Sequence, residues 1–195
     1  EFIYLNFDII AFTNLIKDYN MSVTFKGTAV ELEGNVVNVG QVAPVVELVA
    51  KDLSTISVGG ASGKYQVLIV VPSLDTGVCA TEARTFNQKV ASKSNVEATV
   101  ISLDLPFAMG RFCSTEGIEN LRVASDFRGA KFGKEYGVLL ASSPLAGLLT
   151  RAIFVLDPNG VVVYKELVSE ITTEPNYDAA LKAISGGGCG CGCSH

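Results

Sequence analysis

The residues Val67-Leu68-Ile69-Val70-Val71 form an unbroken, mostly β-branched apolar run, and Pro72 comes at once after it. A run this short, continuous and rich in Val and Ile predicts a buried strand. Pro72 has no N–H to give to a sheet ladder, so the strand ends there. From Cys79 onward the period changes. Ala83, Phe86 and Val90 recur at three- and four-residue steps, the spacing of one face of an amphipathic helix. Thr76 is a good N-cap residue, which places Cys79 in the first turn among unpaired backbone N–H groups. A thiol there feels the positive end of the helix dipole, a setting that favours the reactive thiolate. Strand, turn and cysteine at a helix start mark Pro72–Cys79 as the place for chemistry.

A chain of 195 residues suits one domain with extensions. Nearly half the residues are apolar and 18% are charged, enough to bury a full core. The net charge of −5 argues against nucleic acid as a partner, because a phosphate-binding surface needs clustered Lys and Arg. No apolar run approaches the roughly eighteen residues needed to span a bilayer, so no membrane partner is expected and the protein reads as soluble. Of five cysteines, Cys189, Cys191 and Cys193 crowd the C-terminus and two, Cys79 and Cys113, remain in the body. That is too few for a secreted disulfide scaffold and fits a cytoplasmic protein whose body thiols are either redox-active or inert core residues. The single histidine, His195, is the last residue, which removes Cys-His dyads and Ser-His-Asp triads from the folded body.

Residues 1–20 differ in character from the rest of the chain. They lack a basic n-region and a small-residue cleavage site, and Met21-Ser22-Val23 reads as a natural start, so the segment is taken as a non-native or upstream extension. The domain is expected over 21–185. Val23 to Leu32 alternates around Gly27 as a short N-terminal hairpin. Val45 to Ala50 and Ile56 to Val58 read as short strands. Gly59 to Gly63 is glycine-rich but precedes a strand instead of opening a helix, so it lacks the context of a phosphate cradle. After the Cys79 helix, Val96 to Leu103 is a strand and Pro106 to Cys113 one or two helical turns. Leu121 to Ala124 is a short strand and Ala130 to Tyr136 a short helix. Arg151 to Leu156, the turn Asp157-Pro158-Asn159-Gly160 and Val161 to Val168 form a hairpin. Asn176 to Ile184 closes with a helix, and Glu170 to Glu174 reads as an exposed loop. The alternation predicts an α/β domain with a central mixed sheet flanked by helices.

Gly186-Gly187-Gly188 leads into a flexible Gly/Cys-rich tail, 186–195. Cys189, Cys191, Cys193 and His195 supply donors suited to Zn(II) or Cu(I), but the spacing is Cys-x-Cys on a glycine backbone with no scaffold. They are subsidiary metal candidates beside the plainer reading of a disordered thiol-bearing tail.

Pro72-x-x-x-Thr76-x-x-Cys79 resembles the active-site motif of the peroxiredoxins, which reduce hydroperoxides on a thioredoxin-like fold. Pro-Ser-Leu-Asp-Thr-Gly-Val-Cys, then Asp104-Leu105-Pro106-Phe107-Ala108, Arg111-Phe112-Cys113 and Glu170-Ile171-Thr172-Thr173-Glu174-Pro175 are similar to the bacterial thiol peroxidases, the atypical two-cysteine branch. The resemblance runs in order from about Met21 to Ile184; the Cys-rich tail departs from it. It implies that Cys79 is the peroxidatic cysteine and Cys113 the resolving cysteine of the same chain, joined in an intramolecular disulfide after reaction. It implies that Thr76 hydrogen-bonds thiolate and peroxide, that Pro72 shields the pocket from water, and that Arg151 holds the thiolate and a peroxide oxygen. It further implies a homodimer recharged by thioredoxin, acting on hydroperoxides with no cofactor.

The chemistry agrees with those roles. Splitting an O–O bond needs an ionised sulfur and a way to place two oxygens, and a helix N-terminus, a hydroxyl and a permanent cation supply both without a metal. Glu82, one turn beyond Cys79, opposes ionisation unless it is paired; the expected partner is basic, with Arg151 the candidate. The plainer alternatives are a buried hydrophobe for either body cysteine and a solvated strand-edge charge for Arg151, while a helix-cap role for Thr76 is compatible with a catalytic one. A thioredoxin-type oxidoreductase lacks support, since no Cys-x-x-Cys occurs in the body. A metal-binding role resting on the tail is the non-enzymatic alternative.

Overall fold

The computed structural model describes residues 23–185, so the N-terminal extension and the tail with Cys189, Cys191, Cys193 and His195 lie outside the described residues. In chain order the strands are β1 (Val23–Phe25), β2 (Thr28–Val30), β3 (Leu32–Glu33), β4 (Val46–Ala50), β5 (Thr55–Val58) and β6 (Tyr65–Val70). Next come helix α1 (Gly77–Val90), β7 (Val96–Ser102), α2 (Pro106–Glu116), β8 (Arg122–Ser125) and α3 (Lys131–Glu135). The chain closes with β9 (Leu139–Leu140), β10 (Ala152–Leu156), β11 (Val162–Leu167) and α4 (Tyr177–Ser185).

Seven strands make the central sheet in the order β11-β10-β6-β7-β8-β4-β5. Its middle, β6-β7-β8, is parallel, and β10, β11, β4 and β5 join antiparallel, so the sheet is mixed as expected. The position of β6 explains its composition. Val67, Ile69 and Val71 face one core with Cys79, Ala83, Phe86 and Val90 of α1, Met109 and Cys113 of α2, and Ala180 and Ile184 of α4. Leu68 and Val70 face the opposite core, with Phe132 and Tyr136 at α3. Successive side chains of a strand alternate between faces, so a strand covered on both must be apolar throughout.

The structure departs from the local expectations in places. Helix α2 is longer than one or two turns, running eleven residues to Gly117, whose left-handed φ of 65° ends it with an N–H bonded to the Cys113 carbonyl. Its period is weak because only Pro106, Met109 and Cys113 are buried while Phe107 is 69% exposed. A two-residue ladder of β3 with β9 lies outside the central sheet; Leu32 pairs with Leu140 and Glu33 with Leu139. So short a pairing carries no period of its own.

The Glu170–Glu174 segment is more than an exposed loop. The Glu170 carboxylate accepts from the Thr24 hydroxyl at 2.8 Å and from the N–H groups of Lys26 and Gly27 at 3.1 and 3.0 Å, clamping the β1–β2 turn. The backbone returns the contact, Ile171 N–H donating to the Thr24 carbonyl at 2.9 Å. The N-terminal hairpin thereby braces Ile171, whose carbonyl meets the Arg151 side chain.

Candidate active site

The site forms at the carboxyl end of β6, where the parallel middle of the sheet opens into loops. Pro72 is buried directly beyond the strand and starts the turn to α1. Thr76 occupies the N-cap position, with φ −108° and ψ 145°, and Cys79 is the third residue of α1. Thr76 is thus the N-cap residue by position, but its side chain makes no cap hydrogen bond to the helix backbone. Its hydroxyl donates instead to the Cys79 sulfur at 2.8 Å, closer than the 3.2 Å to the Ser73 carbonyl.

Arg151 reaches the same sulfur from the neighbouring strand. The register of β10 sets Ala152 opposite Val70, so Arg151, one residue earlier, lies beyond the end of β6 and beside the turn. It is 2% exposed, not a solvated edge charge. Its guanidinium uses three nitrogens on three partners. Nη2 donates to Cys79 Sγ at 3.3 Å, Nε donates to the Ile171 carbonyl at 3.0 Å, and Nη1 pairs with Glu82 Oε2. The rigid fork of five donors makes such simultaneous contacts possible. The expected basic partner of Glu82 is therefore Arg151.

The electrostatics of this triad come from burial. Glu82 is fully buried and its Oε1 has no partner, and loss of hydration pushes its pKa up to about 7 against the pull of Arg151. For Arg151, burial works against the charge, but Glu82 and the Cys79 sulfur outweigh it and hold the pKa above the ordinary value. The sulfur of a fully buried Cys79 thus meets a cation and a hydroxyl donor, while Thr76 and Gly77 beside it are exposed. That is not the environment of an inert core thiol.

Cys113 is a free thiol, as is Cys79, and lies in the last half of α2 within the same core. Burial raises its pKa, partly opposed by Lys51. Thr76 and Arg151 thus meet at the Cys79 sulfur, with Pro72 buried at the start of the same turn and Cys113 in the same hydrophobic core as Cys79. Two contributors carried no readable role in the sequence. The Ile171 carbonyl is a backbone group and leaves no residue signature. Asp104 holds the turn from the β7 side, accepting from Ser73 Oγ and Leu74 N–H at 2.8 Å each; its only sequence signal is its place in a motif segment.

A mixed thioredoxin-like sheet with a cysteine in the first turn of the helix after a central strand defines the class of thiol-based redox proteins. The comparisons narrow it. The redoxin family pattern matches residues 38–181, and the chain belongs to the redoxin family. It is 60% identical to the thiol peroxidase of Campylobacter jejuni over 87% of this chain and 98% of that protein. It is 47% identical to the thiol peroxidase of Helicobacter pylori over 83% of this chain and 98% of that protein. Among solved structures, a peroxiredoxin-like protein from Aquifex aeolicus superposes with a TM-score of 0.82 at 48% identity, covering 85% of this chain and 96% of that one.

Proposed function

We propose that this chain is a peroxiredoxin-type thiol peroxidase that reduces hydrogen peroxide and alkyl hydroperoxides through Cys79 and Cys113. The observation that carries the reading is the pair of donors on one sulfur, Thr76 Oγ1 at 2.8 Å and Arg151 Nη2 at 3.3 Å. The Cys79 thiolate attacks the terminal oxygen of the hydroperoxide in line with the O–O bond. Sulfur gains that oxygen and is oxidised by two electrons; the O–O bond breaks, and the leaving alkoxide takes a proton and departs as alcohol or water. Thr76 and Arg151 both reach the sulfur, and stabilise charge as it moves from sulfur to oxygen. Pro72, buried at the start of the turn, keeps water from the reacting atoms.

Cys113 sulfur then attacks the sulfenic sulfur, forming the Cys79–Cys113 disulfide and releasing water. Cys79 and Cys113 sit in separate helices, and a disulfide needs Cα atoms within about 7 Å; local unwinding of α1, α2 or both, with Gly77 and Gly110 as hinges, brings them into bonding geometry. Thioredoxin returns both thiols by exchange, and the enzyme works as a cytoplasmic homodimer in antioxidant defence. These partners rest on the family resemblance. Among the described residues no helix is long and apolar enough to cross a membrane.

Measuring cumene hydroperoxide consumption with thioredoxin as reductant tests the reading. Cys79→Ser turnover is expected at background, and wild-type turnover in that variant refutes the assignment. Non-reducing mass analysis after one equivalent of peroxide is expected to join Cys79 to Cys113. A bond from Cys79 to a tail cysteine overturns the resolving role.

A further inference from the structure

The loops after β6 and β7 lie side by side because the two strands are parallel neighbours, with Val70 beside Ile101. Asp104, two residues beyond β7, joins them. Its Oδ1 accepts from the Ser73 hydroxyl and its Oδ2 from the Leu74 N–H and the Ser102 hydroxyl, each at 2.8 Å. Its own carbonyl accepts from Ser125 Oγ at the end of β8. The hold continues along the turn. Ser73 Oγ accepts from the Asp75 N–H at 3.2 Å, and the Ser73 carbonyl accepts from the Thr76 N–H at 3.3 Å and lies 3.2 Å from the Thr76 hydroxyl. Each link fixes the next, and the last is the hydroxyl on the Cys79 sulfur. On the other side, Asp104 immediately precedes Leu105, the N-cap of the helix that carries Cys113.

We propose that Asp104 is a positioning residue for the peroxide step: it anchors Ser73–Thr76 in the shape that sets the Thr76 hydroxyl on Cys79, and it ties that shape to the start of α2. The inference rests on the Cys79 peroxidase reading and deepens it. Anchoring serves the first step only. Attack on peroxide needs the turn folded, whereas disulfide closure needs it, or α2, to loosen. Removing the anchor therefore slows oxidation of Cys79 without slowing closure. Small errors in the placement of a catalytic group are costly, so a loss of about tenfold or more in the first step is expected.

The two steps are separable by experiment. Oxidation by cumene hydroperoxide is timed in a Cys113→Ser background by trapping the Cys79 sulfenic acid with dimedone, and closure is timed by mass analysis in the two-cysteine protein. Asp104→Ala is expected to slow oxidation at least about tenfold and leave closure equal or faster. Asp104→Asn can offer its oxygen to Leu74 and Ser102 and its amide to Ser73 Oγ, and is expected within about threefold of the parent. Ser73→Ala removes one link at a half-exposed position and carries the test if Asp104→Ala does not fold; a drop of about threefold or more supports the anchor. Parent-rate oxidation in Asp104→Ala, or in Ser73→Ala where that variant carries the test, overturns the proposal. So does equal slowing of both steps, or an Asp104→Asn as slow as Asp104→Ala. A parent whose Cys79 is not oxidised overturns the peroxidase reading and this inference with it; normal parent oxidation beside an unaffected Asp104→Ala overturns this inference alone.

Discussion

Arg151 is the residue on which most of the site's chemistry converges, because its three nitrogens touch Cys79, Glu82 and Ile171 together. A lysine carries the same charge but only one nitrogen, and no single ammonium replaces a fork directed at three partners. Arg151→Lys is expected to lower kcat/KM for cumene hydroperoxide by about 10²-fold while the protein still folds, checked by steady-state kinetics beside a melting curve. Thr76→Val keeps the shape and removes the donor; a loss of about tenfold is expected, and Thr76→Ser, which keeps the hydroxyl, restores most of it. Glu82 makes one part of stability depend on pH. Its pKa rises from 4.5 to about 7 on folding, so the folded protein binds more protons across that window. The Glu82 contribution to stability therefore falls as pH rises from 4.5 to about 7, by at most about 1.4 kcal/mol per unit. Urea unfolding from pH 5 to pH 8 reads this directly, and Glu82→Gln is expected to flatten the slope.

At the scale of elements, α2 must be ordered enough to bury Cys113 and loose enough to release it. Gly110 sits in its middle, and a Cβ there meets only the Lys51 Cβ at 3.7 Å, an ordinary contact. Gly110→Ala is expected to stabilise the protein by about 0.5–1 kcal/mol and to slow disulfide closure, the first read by denaturant unfolding and the second by stopped-flow mixing. The β1–β2 hairpin depends on a different element. Hydrogen bonds from the Gly27 backbone, Thr172 and Thr24 hold the Glu170 pKa down at about 2, so its clamp is complete above the ordinary 4.5 and is lost as pH falls toward 2. Amide protection factors over Val23–Val30 are expected to drop in that acid range before those of β6 do, and a uniform drop contradicts the clamp. Neither feature was visible in the local pattern. The α2 sequence exposes Phe107 on a helix whose buried positions are few, and Glu170 acts on residues more than 140 positions away in the chain.

For the molecule as a whole, 21–185 is proposed as the complete peroxidase domain. Deleting 186–195 is expected to leave peroxide turnover unchanged, and a large loss gives the Cys-rich tail a part in the reaction. Light scattering is expected to find twice the 20.6 kDa chain mass. The order strand, turn, cysteine and helix was legible from residues 67–90 alone, because a switch from an unbroken apolar run to a 3.6-residue period, with proline between, is a local property of the chain. So was the alternation that makes the sheet mixed, and family likeness pointed to Arg151 and Cys113. What no local pattern contained was the meeting of those parts. Arg151 stands 72 positions from Cys79 and 69 from Glu82, and Asp104 30 from Leu74. Those distances in sequence close only when β10 pairs with β6 in one register and β7 lies parallel beside it. A shift of one residue turns every side chain of a strand to the opposite face, so register, a property of paired strands and not of either segment, decides which charge the sulfur meets.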